Sequence, residues 1–286
     1  MAEQTVIFTD LDGTLLDHRT YCFEAALPAV MHLRQCGVPI IFNTSKTRAE
    51  LLPLREALAL RQPFIVENGA AVYIPEGLFE KKTEYTSTSD GMWKYAFAPP
   101  RQHWLTLLDS LKKTFSGAFI HFAQMSTEDV VASTGLDWDA AVRAQQREYS
   151  EPVLWKGDAE HQHAFIRACK IGGARVLRGG RFLHVGGVSD KGVALRWLIE
   201  QYRSARQLDG GAVFARVRSV ALGDSHNDVE MLNAADQAVI VRGVNSEALR
   251  GAVNNPELLY TEQWGPRGWR EAMIRLELVP GSLAND

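Results

Sequence analysis

The chain is poor in the features that mark secreted, membrane-spanning or nucleic-acid-binding proteins. Three cysteines, Cys22, Cys36 and Cys169, are spread over 286 residues without a paired pattern. Neither a disulfide framework nor a cysteine-based metal site is expected from them, and a reducing compartment is. Basic residues are not in excess: 31 Lys and Arg stand against 34 Asp and Glu, for a formal charge of −3. A protein without a positive field has no electrostatic footprint for nucleic acid. No apolar run approaches the ~20 residues that span a bilayer, and the N-terminus shows no basic-then-apolar signal before its first strand-like run. The expectation is a cytoplasmic protein with no membrane and no nucleic-acid partner. Internal repeats and low-complexity tracts are absent too, apart from short polar and Gly-rich loops.

The composition, 46% hydrophobic and 23% charged, is that of a globular protein, and the length suffices for two domains of ordinary size. The first apolar run, Thr5-Val6-Ile7-Phe8-Thr9, is short, β-branched and aromatic, and it ends in Asp10-Leu11-Asp12-Gly13-Thr14. This reads as a buried parallel strand that delivers carboxylates to its C-terminal tip, where open α/β sheets bind ligands. Two acids one residue apart on a strand face opposite ways, so they can serve one site only if the chain breaks from the strand, which Gly13 permits. Taken alone, the stretch fits an Asp/Gly turn closing a strand better than it fits chemistry.

The pattern repeats downstream. A helix over 23–36 leads to a second buried run, Val38-Pro39-Ile40-Ile41-Phe42, whose tip is Asn43-Thr44-Ser45-Lys46-Thr47 at the start of another helix. A right-handed crossover sets this tip beside the first, and a hydroxyl-rich loop opening a helix suits an anion as well as a helix cap. A third strand ends in Glu67-Asn68-Gly69-Ala70, and a hairpin edge follows. From about residue 82 the chain becomes polar and then richer in aromatics and long helices. Strands are expected over 94–98, 118–124, 152–155, 174–178 and 181–185, with helices between them. This order suggests a small sheet covered on one face by helices. Alternation of parallel type then resumes. Lys191 opens a helix, and Val217–Leu222 runs into Gly223-Asp224-Ser225-His226-Asn227-Asp228. The fold class is therefore α/β: a Rossmann-like parallel-sheet core over 1–82 and 188–286, with an inserted α+β cap over 83–187.

Hard oxygen donors from two strand tips, with hydroxyls and an ammonium opposite, suit Mg²⁺ and a phosphoryl group. Asp10-Leu11-Asp12-Gly13-Thr14, Thr44, Lys191 and Gly223-Asp224-x-x-Asn227-Asp228 resemble, in order, the four motifs of the haloacid dehalogenase superfamily. The match spans nearly the whole chain, and a large αβ cap between the second and third motifs is that superfamily's sugar-phosphatase arrangement. Asn43-Thr44-Ser45-Lys46-Thr47, Glu67-Asn68-Gly69-Ala70, Arg147-Glu148-Tyr149-Ser150-Glu151-Pro152, Gly180-Arg181-Phe182-x-His184 and Gly265-Pro266-x-Gly268-Trp269 are similar to the mannosyl-3-phosphoglycerate phosphatase family. Sucrose and general sugar phosphatases usually carry Thr-Gly-Arg where this chain has Thr44-Ser45-Lys46.

The resemblance implies a Mg²⁺-dependent phosphatase acting on a phosphorylated sugar, with mannosyl-3-phosphoglycerate as the first expectation. Glucosyl-3-phosphoglycerate, sucrose phosphate or a general sugar phosphate are the alternatives within that chemistry. A phosphomutase or a non-catalytic sugar-phosphate sensor are the alternatives outside it. By the same resemblance Asp10 is the nucleophile and Asp12 the general acid and base, while Thr44, the Ser45 amide and Lys191 neutralise phosphoryl oxygens. Metal ligands are Asp10, the Asp12 carbonyl and Asp224, with Asp228 behind them. Ser45, Lys46, Arg181, His184 and Asn227 are the expected substrate-binding positions. A substrate carrying a carboxylate beside its phosphate needs cations beyond the phosphate shell, and Lys46, Arg181 and His184 are the candidates; Arg181 also fits a solvated hairpin charge. The pair His161-x-His163 does not share a helix face, so a zinc site in the cap is not expected. The expected assembly is a monomer or small homo-oligomer.

Overall fold

The computed structural model describes residues 3–80, 84–88, 90–179, 181–205 and 216–285. In chain order the elements are β1 (Glu3–Thr9), α1 (Leu27–Gln35), β2 (Ile40–Phe42), α2 (Arg48–Ala57), β3 (Phe64–Val66), β4 (Ala71–Pro75), β5 (Thr86–Ser87) and β6 (Met92–Ala96). Next come α3 (Arg101–Leu111), β7 (Phe119–His121), α4 (Thr127–Thr134), α5 (Trp138–Gln145), β8 (Ser150–Trp155), α6 (Ala159–Ile171), β9 (Arg175–Gly179) and β10 (Phe182–Gly186). The last stretch holds α7 (Lys191–Ala205), β11 (Arg216–Gly223), α8 (Val229–Ala234), β12 (Gln237–Arg242), β13 (Leu258–Trp264) and α9 (Gly265–Arg275).

Two compact units emerge: the first comprises Met1–Thr44, Arg55–Tyr95 and Asp190–Asp286, the second Ser45–Leu54 and Ala96–Ser189. The first unit is built on a parallel sheet in the order β13-β12-β11-β1-β2. Val6, Ile7 and Phe8 of β1 are buried between neighbours on both sides, as a central strand with covered faces requires. The expected cap boundary at 82/83 falls on residues outside those described. Past it, the strand expected over 94–98 as the first of the cap instead runs over Met92–Ala96 and joins a second sheet of order β3-β4-β6-β5. A strand continues whichever sheet offers it a free edge, and β4 offers one. Strand β13, half polar in sequence, was not expected at all; it is the edge strand, and one solvated side removes the apolar signal.

The second unit contains the antiparallel sheet β7-β8-β10-β9. One face, carrying Val153, Leu183 and Val185, packs on Trp104 and Leu108 of α3 and Phe165 of α6. Their chain neighbours Ile120, Leu154 and Phe182 point to the opposite face and pack on Val130 of α4 and Ala141 of α5. Helices therefore cover both faces, not one. The hairpin pairing reaches Gly179↔Phe182; Gly180, in the expected turn, is outside the described residues. So is the Gly-rich stretch at 209–211. No helix is long and apolar enough to cross a membrane among the described residues.

Candidate active site

In the first unit, the C-terminal tips of β1 and β11 are adjacent because the two strands pair in parallel over seven residues, ending at Thr9↔Leu222. The Asp10 amide still donates to Leu222 O (2.9 Å), after which the chain leaves the strand. Thr9 Oγ1 donates to Asp10 O (2.7 Å) and accepts from Trp269 Nε1 (3.0 Å), which fixes the departure point. Gly13 adopts φ +86°, and a β-carbon there would stand 2.5 Å from an Asp224 oxygen. Only glycine allows the loop to pass so close to the second acid.

Oxygens of Asp10, Asp224 and Asp228 lie within 4.8 Å of one another, and all three side chains are buried. The nearby cation is Lys191, itself fully buried, whose Nζ donates to Asp10 Oδ1 (2.5 Å) and Asp228 Oδ1 (2.6 Å). Asp190, the α7 cap, accepts from the amides of Gly192 and Val193 and so sets the helix start that carries Lys191. Asn43 Nδ2 donates to Lys191 O (2.9 Å), tying that start to the tip of β2.

Three carboxylates face one ammonium, and the electrostatics follow. Burial, then the charge of Asp228, pushes the Asp10 carboxyl up to about 7 despite Lys191. Burial, then Asp10 and Asp228, pushes Asp224 up to about 8. Burial opposes charge on Lys191, yet Asp10 and Asp228 outweigh it and hold the ammonium above its ordinary range. The set is short of positive charge, and its donors are hard oxygens. Among the described residues the Asp224 carboxylate accepts only a long bond from Thr14 Oγ1 (3.4 Å). Asp228 is different: Oδ1 is on Lys191 and Oδ2 accepts from the Asp224 and Ser225 amides (3.1 and 3.0 Å). These residues fit a divalent cation held directly by Asp10 and Asp224 and supported from behind by Asp228. The Asp12 side chain stands outside that trio, half-buried, with its charge felt at both Asp10 and Asp224.

Thr44 is buried at the tip of β2, its amide donating to Ile65 O (3.2 Å) and its carbonyl accepting from Asn68 N (2.8 Å). Asn68 Oδ1 in turn accepts from Asn227 Nδ2 (3.0 Å). Sequence reasoning gave no role to Asn43, Glu67, Asn68 or Gly69. Yet Glu67, Asn68 and Gly69 take φ of 48°, 60° and 85° in succession. A β-carbon on Gly69 would meet Asp190 O at 2.1 Å. Such strain in non-glycine residues is held only where surroundings over-determine it, as around functional sites. The Asn-Gly pair was the available signal.

The remaining candidates belong to the second unit. Ser45 O accepts from Arg147 Nη2 (3.0 Å), and Lys46 Nζ makes a long ion pair with Glu50 (3.9 Å). His184 sits on β10 opposite Pro152, with Nδ1 buried and unpartnered among the described residues. Burial, reinforced by the Arg147 charge, lowers its pKa to about 3, so its ring is neutral. Arg181 is exposed on the hairpin loop, and its Nη1 donates to Ser133 O at the end of α4 (2.6 Å). It braces that helix terminus, an ordinary use for a cation. Elsewhere in the second unit, exposed His161 pairs with Asp158 (2.6 Å).

Comparison with known proteins bears on this geometry. A family model described as haloacid dehalogenase-like hydrolase matches residues 7–93, and one described as sucrose-6F-phosphate phosphohydrolase matches residues 163–274. A glucosyl-3-phosphoglycerate/mannosyl-3-phosphoglycerate phosphatase of Methanococcoides burtonii is 35% identical over 95% of this chain and 96% of its own. The protein of the same name from Persephonella marina is 32% identical over the same shares. In fold, the chain is similar to a phosphatase of this superfamily from Bacteroides thetaiotaomicron (TM-score 0.67, 19% identity, 96% of each chain). A subclass IIB sugar phosphatase also matches (TM-score 0.66, 17% identity, 96% of this chain and 100% of the other). With strand-tip acids, a buried lysine and full-length relatives in agreement, the chain belongs to the haloacid dehalogenase superfamily and is one of its phosphatases.

Proposed function

We propose that the protein hydrolyses the phosphate of a glycosyl-3-phosphoglycerate, mannosyl or glucosyl, through an aspartyl-phosphate. The carrying observation is the buried trio Asp10, Asp224 and Asp228 around Lys191, under-supplied with positive charge. Support for the substrate comes from the two full-length relatives, whose shared name covers both sugars.

Asp10 Oδ attacks phosphorus, the bond to the sugar-acid oxygen breaks, and Asp12 gives its proton to that departing oxygen. Asp12 then takes a proton from water; the resulting hydroxide attacks phosphorus, the Asp10–phosphorus bond breaks, and phosphate leaves. One residue does both jobs because the second step restores the proton used in the first. Lys191, Thr44 and the Ser45 amide stabilise the phosphoryl oxygens as their charge shifts in the transition state. Asp10, the Asp12 carbonyl and Asp224 would hold a Mg²⁺ ion, which would supply the charge neutralisation that an anionic nucleophile needs to meet an anionic substrate. Asn227 steadies Asn68 and through it the Thr44 carbonyl. Of the three candidates for the glycerate carboxylate, Lys46 offers a cation directly after Ser45. His184, neutral, suits a sugar hydroxyl; Arg181 already gives one of its five donors to the Ser133 carbonyl.

The test is phosphate release from a panel holding both glycosyl-3-phosphoglycerates, sucrose phosphate, simple sugar phosphates and p-nitrophenyl phosphate, with and without Mg²⁺. A preference of about a hundredfold in kcat/KM for the glycosyl-3-phosphoglycerates is expected, about 2.7 kcal/mol of transition-state discrimination. Equal rates across the panel would reduce the protein to a general sugar-phosphate phosphatase.

A further inference from the structure

Asp10 stands where β1 ends, and the two peptides that flank it are held in different ways. The Thr9–Asp10 peptide is still in the sheet: its N–H donates to Leu222 O (2.9 Å) on β11, and its carbonyl, Thr9 O, accepts from Asn43 N (2.9 Å) at the tip of β2. The Asp10–Leu11 peptide has left it, and its carbonyl, Asp10 O, accepts from Thr9 Oγ1 (2.7 Å). Peptides are planar, so holding the plane on each side of Asp10 fixes its two backbone torsions and with them the direction of its Cα–Cβ bond. That bond aims the carboxylate.

A threonine hydroxyl can turn, and it carries one hydrogen and two acceptor lone pairs. Here a second residue decides which way it turns. Trp269 Nε1 donates to Thr9 Oγ1 (3.0 Å), and an indole N–H is a donor only, so the Thr9 hydrogen is directed away from the ring and onto Asp10 O. Water does not compete, because Thr9 and Trp269 are both fully buried. Trp269 is delivered by α9, whose first turn is drawn so close to the end of β13 that a β-carbon on Gly268 would stand 2.3 Å from Gln263 O. The run of bonds from Trp269 through Thr9 to Asp10 lies wholly within the first unit and joins residues 260 positions apart.

We propose that Trp269 and Thr9 are positioning residues of the phosphatase reaction: the indole N–H orients the Thr9 hydroxyl, which holds the Asp10 carbonyl and so aims the Asp10 carboxylate at phosphorus. The proposal rests on the reading of Asp10 as the nucleophile. Displacing a reacting atom by about 1 Å can cost on the order of a hundredfold in rate. The cost falls on every ester alike, because the bonds concern the attacking group and not the one that leaves.

Thr9→Val, which keeps the shape and removes the hydroxyl, should therefore lower kcat about 10–100-fold at saturating Mg²⁺. KM should be nearly unchanged, and the loss should be alike on a glycosyl-3-phosphoglycerate and on p-nitrophenyl phosphate. Thr9→Ser, which keeps the hydroxyl, should retain most of the activity. Trp269→Phe, which keeps an aromatic ring and removes the N–H, should fall in the same direction by less, about 3–10-fold. The double variant should be no worse than Thr9→Val, since the indole acts through the hydroxyl. Circular dichroism melts establish that each variant is folded, and if Thr9→Val is not, Trp269→Phe carries the test. An unchanged kcat in folded variants, a Thr9→Ser enzyme as slow as Thr9→Val, or multiplied losses in the double would overturn the proposal. So would a loss seen at limiting Mg²⁺ that disappears at saturating Mg²⁺, or one that appears in KM alone. A wild-type protein inactive on every ester, or an Asp10→Asn variant as fast as wild type, would remove the nucleophile reading and this one together. An active wild type, an inactive Asp10→Asn and an unaffected Thr9→Val would remove only this one.

Discussion

Each unit buries a cluster of charge, and the two are balanced in opposite ways. In the first, Asp10, Asp224 and Asp228 share one buried lysine. In the second, Glu151 alone is met by Arg101 Nε (2.5 Å), His121 Nδ1 (2.8 Å) and the Ala123 amide (2.7 Å). Burial would raise the Glu151 carboxyl, but the bonds from His121 and Arg101 outweigh it and hold the group below its ordinary range. Asp10 and Asp224, by contrast, are pushed far up. Sheltered acid is therefore no sign of function in itself. What separates a site from a strut is whether the protein supplies the compensating charge or leaves it to be brought from outside.

Several substitutions bear on that distinction, and the largest effect belongs to the nucleophile. Asp10→Asn should lower kcat by about 10⁴-fold or more while leaving the melting temperature at pH 8 unchanged or higher, since it removes one of the repelling charges. Near-wild-type turnover would end the mechanism. Glu151→Gln should do the reverse. Stripping the counter-charge from a buried pair costs about 3–5 kcal/mol of stability, seen in urea titrations, while kcat per folded molecule stays near wild type. Asp224→Ala should weaken Mg²⁺ dependence about 10–100-fold, so that added Mg²⁺ partly recovers activity. Superimposable Mg²⁺ titrations of mutant and wild type would remove Asp224 from the ligand set.

A smaller, linked effect concerns pH. Asp10 and Asp224 have folded values of about 7 and about 8 against an ordinary 3.8. The native state then holds more protons than the unfolded chain between those limits, so stability of the metal-free protein should fall as pH rises through that window. Glu151, lowered on folding, keeps its contribution throughout and loses it only as pH drops below its ordinary 4.5. Calorimetry in chelator at pH 5 and 8 should show the higher melting temperature at pH 5, and saturating Mg²⁺ should shrink the gap. A gap that widens with Mg²⁺ would mean the trio is not the metal site. Smallest of all, Arg181→Ala should change stability by no more than about 0.5 kcal/mol and leave kcat/KM on a glycosyl-3-phosphoglycerate within about twofold.

What was legible in the chain was whatever a strand period and its tip residues encode. Strand β1 and its acids, β11 and its acids, Thr44 at the end of β2 and Lys191 behind its Asp190 cap all stand next to a local signal. Residues whose role is conferred by distant partners were not legible. Arg147 meets Ser45 across 102 positions, Asn68 meets Asn227 across 159, and no period or spacing carries such a link. Arg181 is a further case: its contact, Ser133 O at the end of α4, lies 48 positions away. The second face of the β7-β8-β10-β9 sheet was lost because Ile120, Leu154 and Phe182 are only partly buried and alternate with more deeply buried neighbours.

The pairing of β1 with β11 also sets an order of events at the ribosome. Strand β1 emerges first, yet its partner begins at Arg216, roughly 10–40 s later at translation rates of about 5–20 residues per second. Until then Val6, Ile7 and Phe8, fully buried in the finished sheet, have β2 on one side and an open edge on the other. The sheet β7-β8-β10-β9, drawn entirely from residues 119–186, is complete while that edge still waits. The newborn chain thus completes the sheet of the second unit while that of the first is unfinished, and the interval in which β1 is exposed is when a chaperone, or another nascent copy, has access to it.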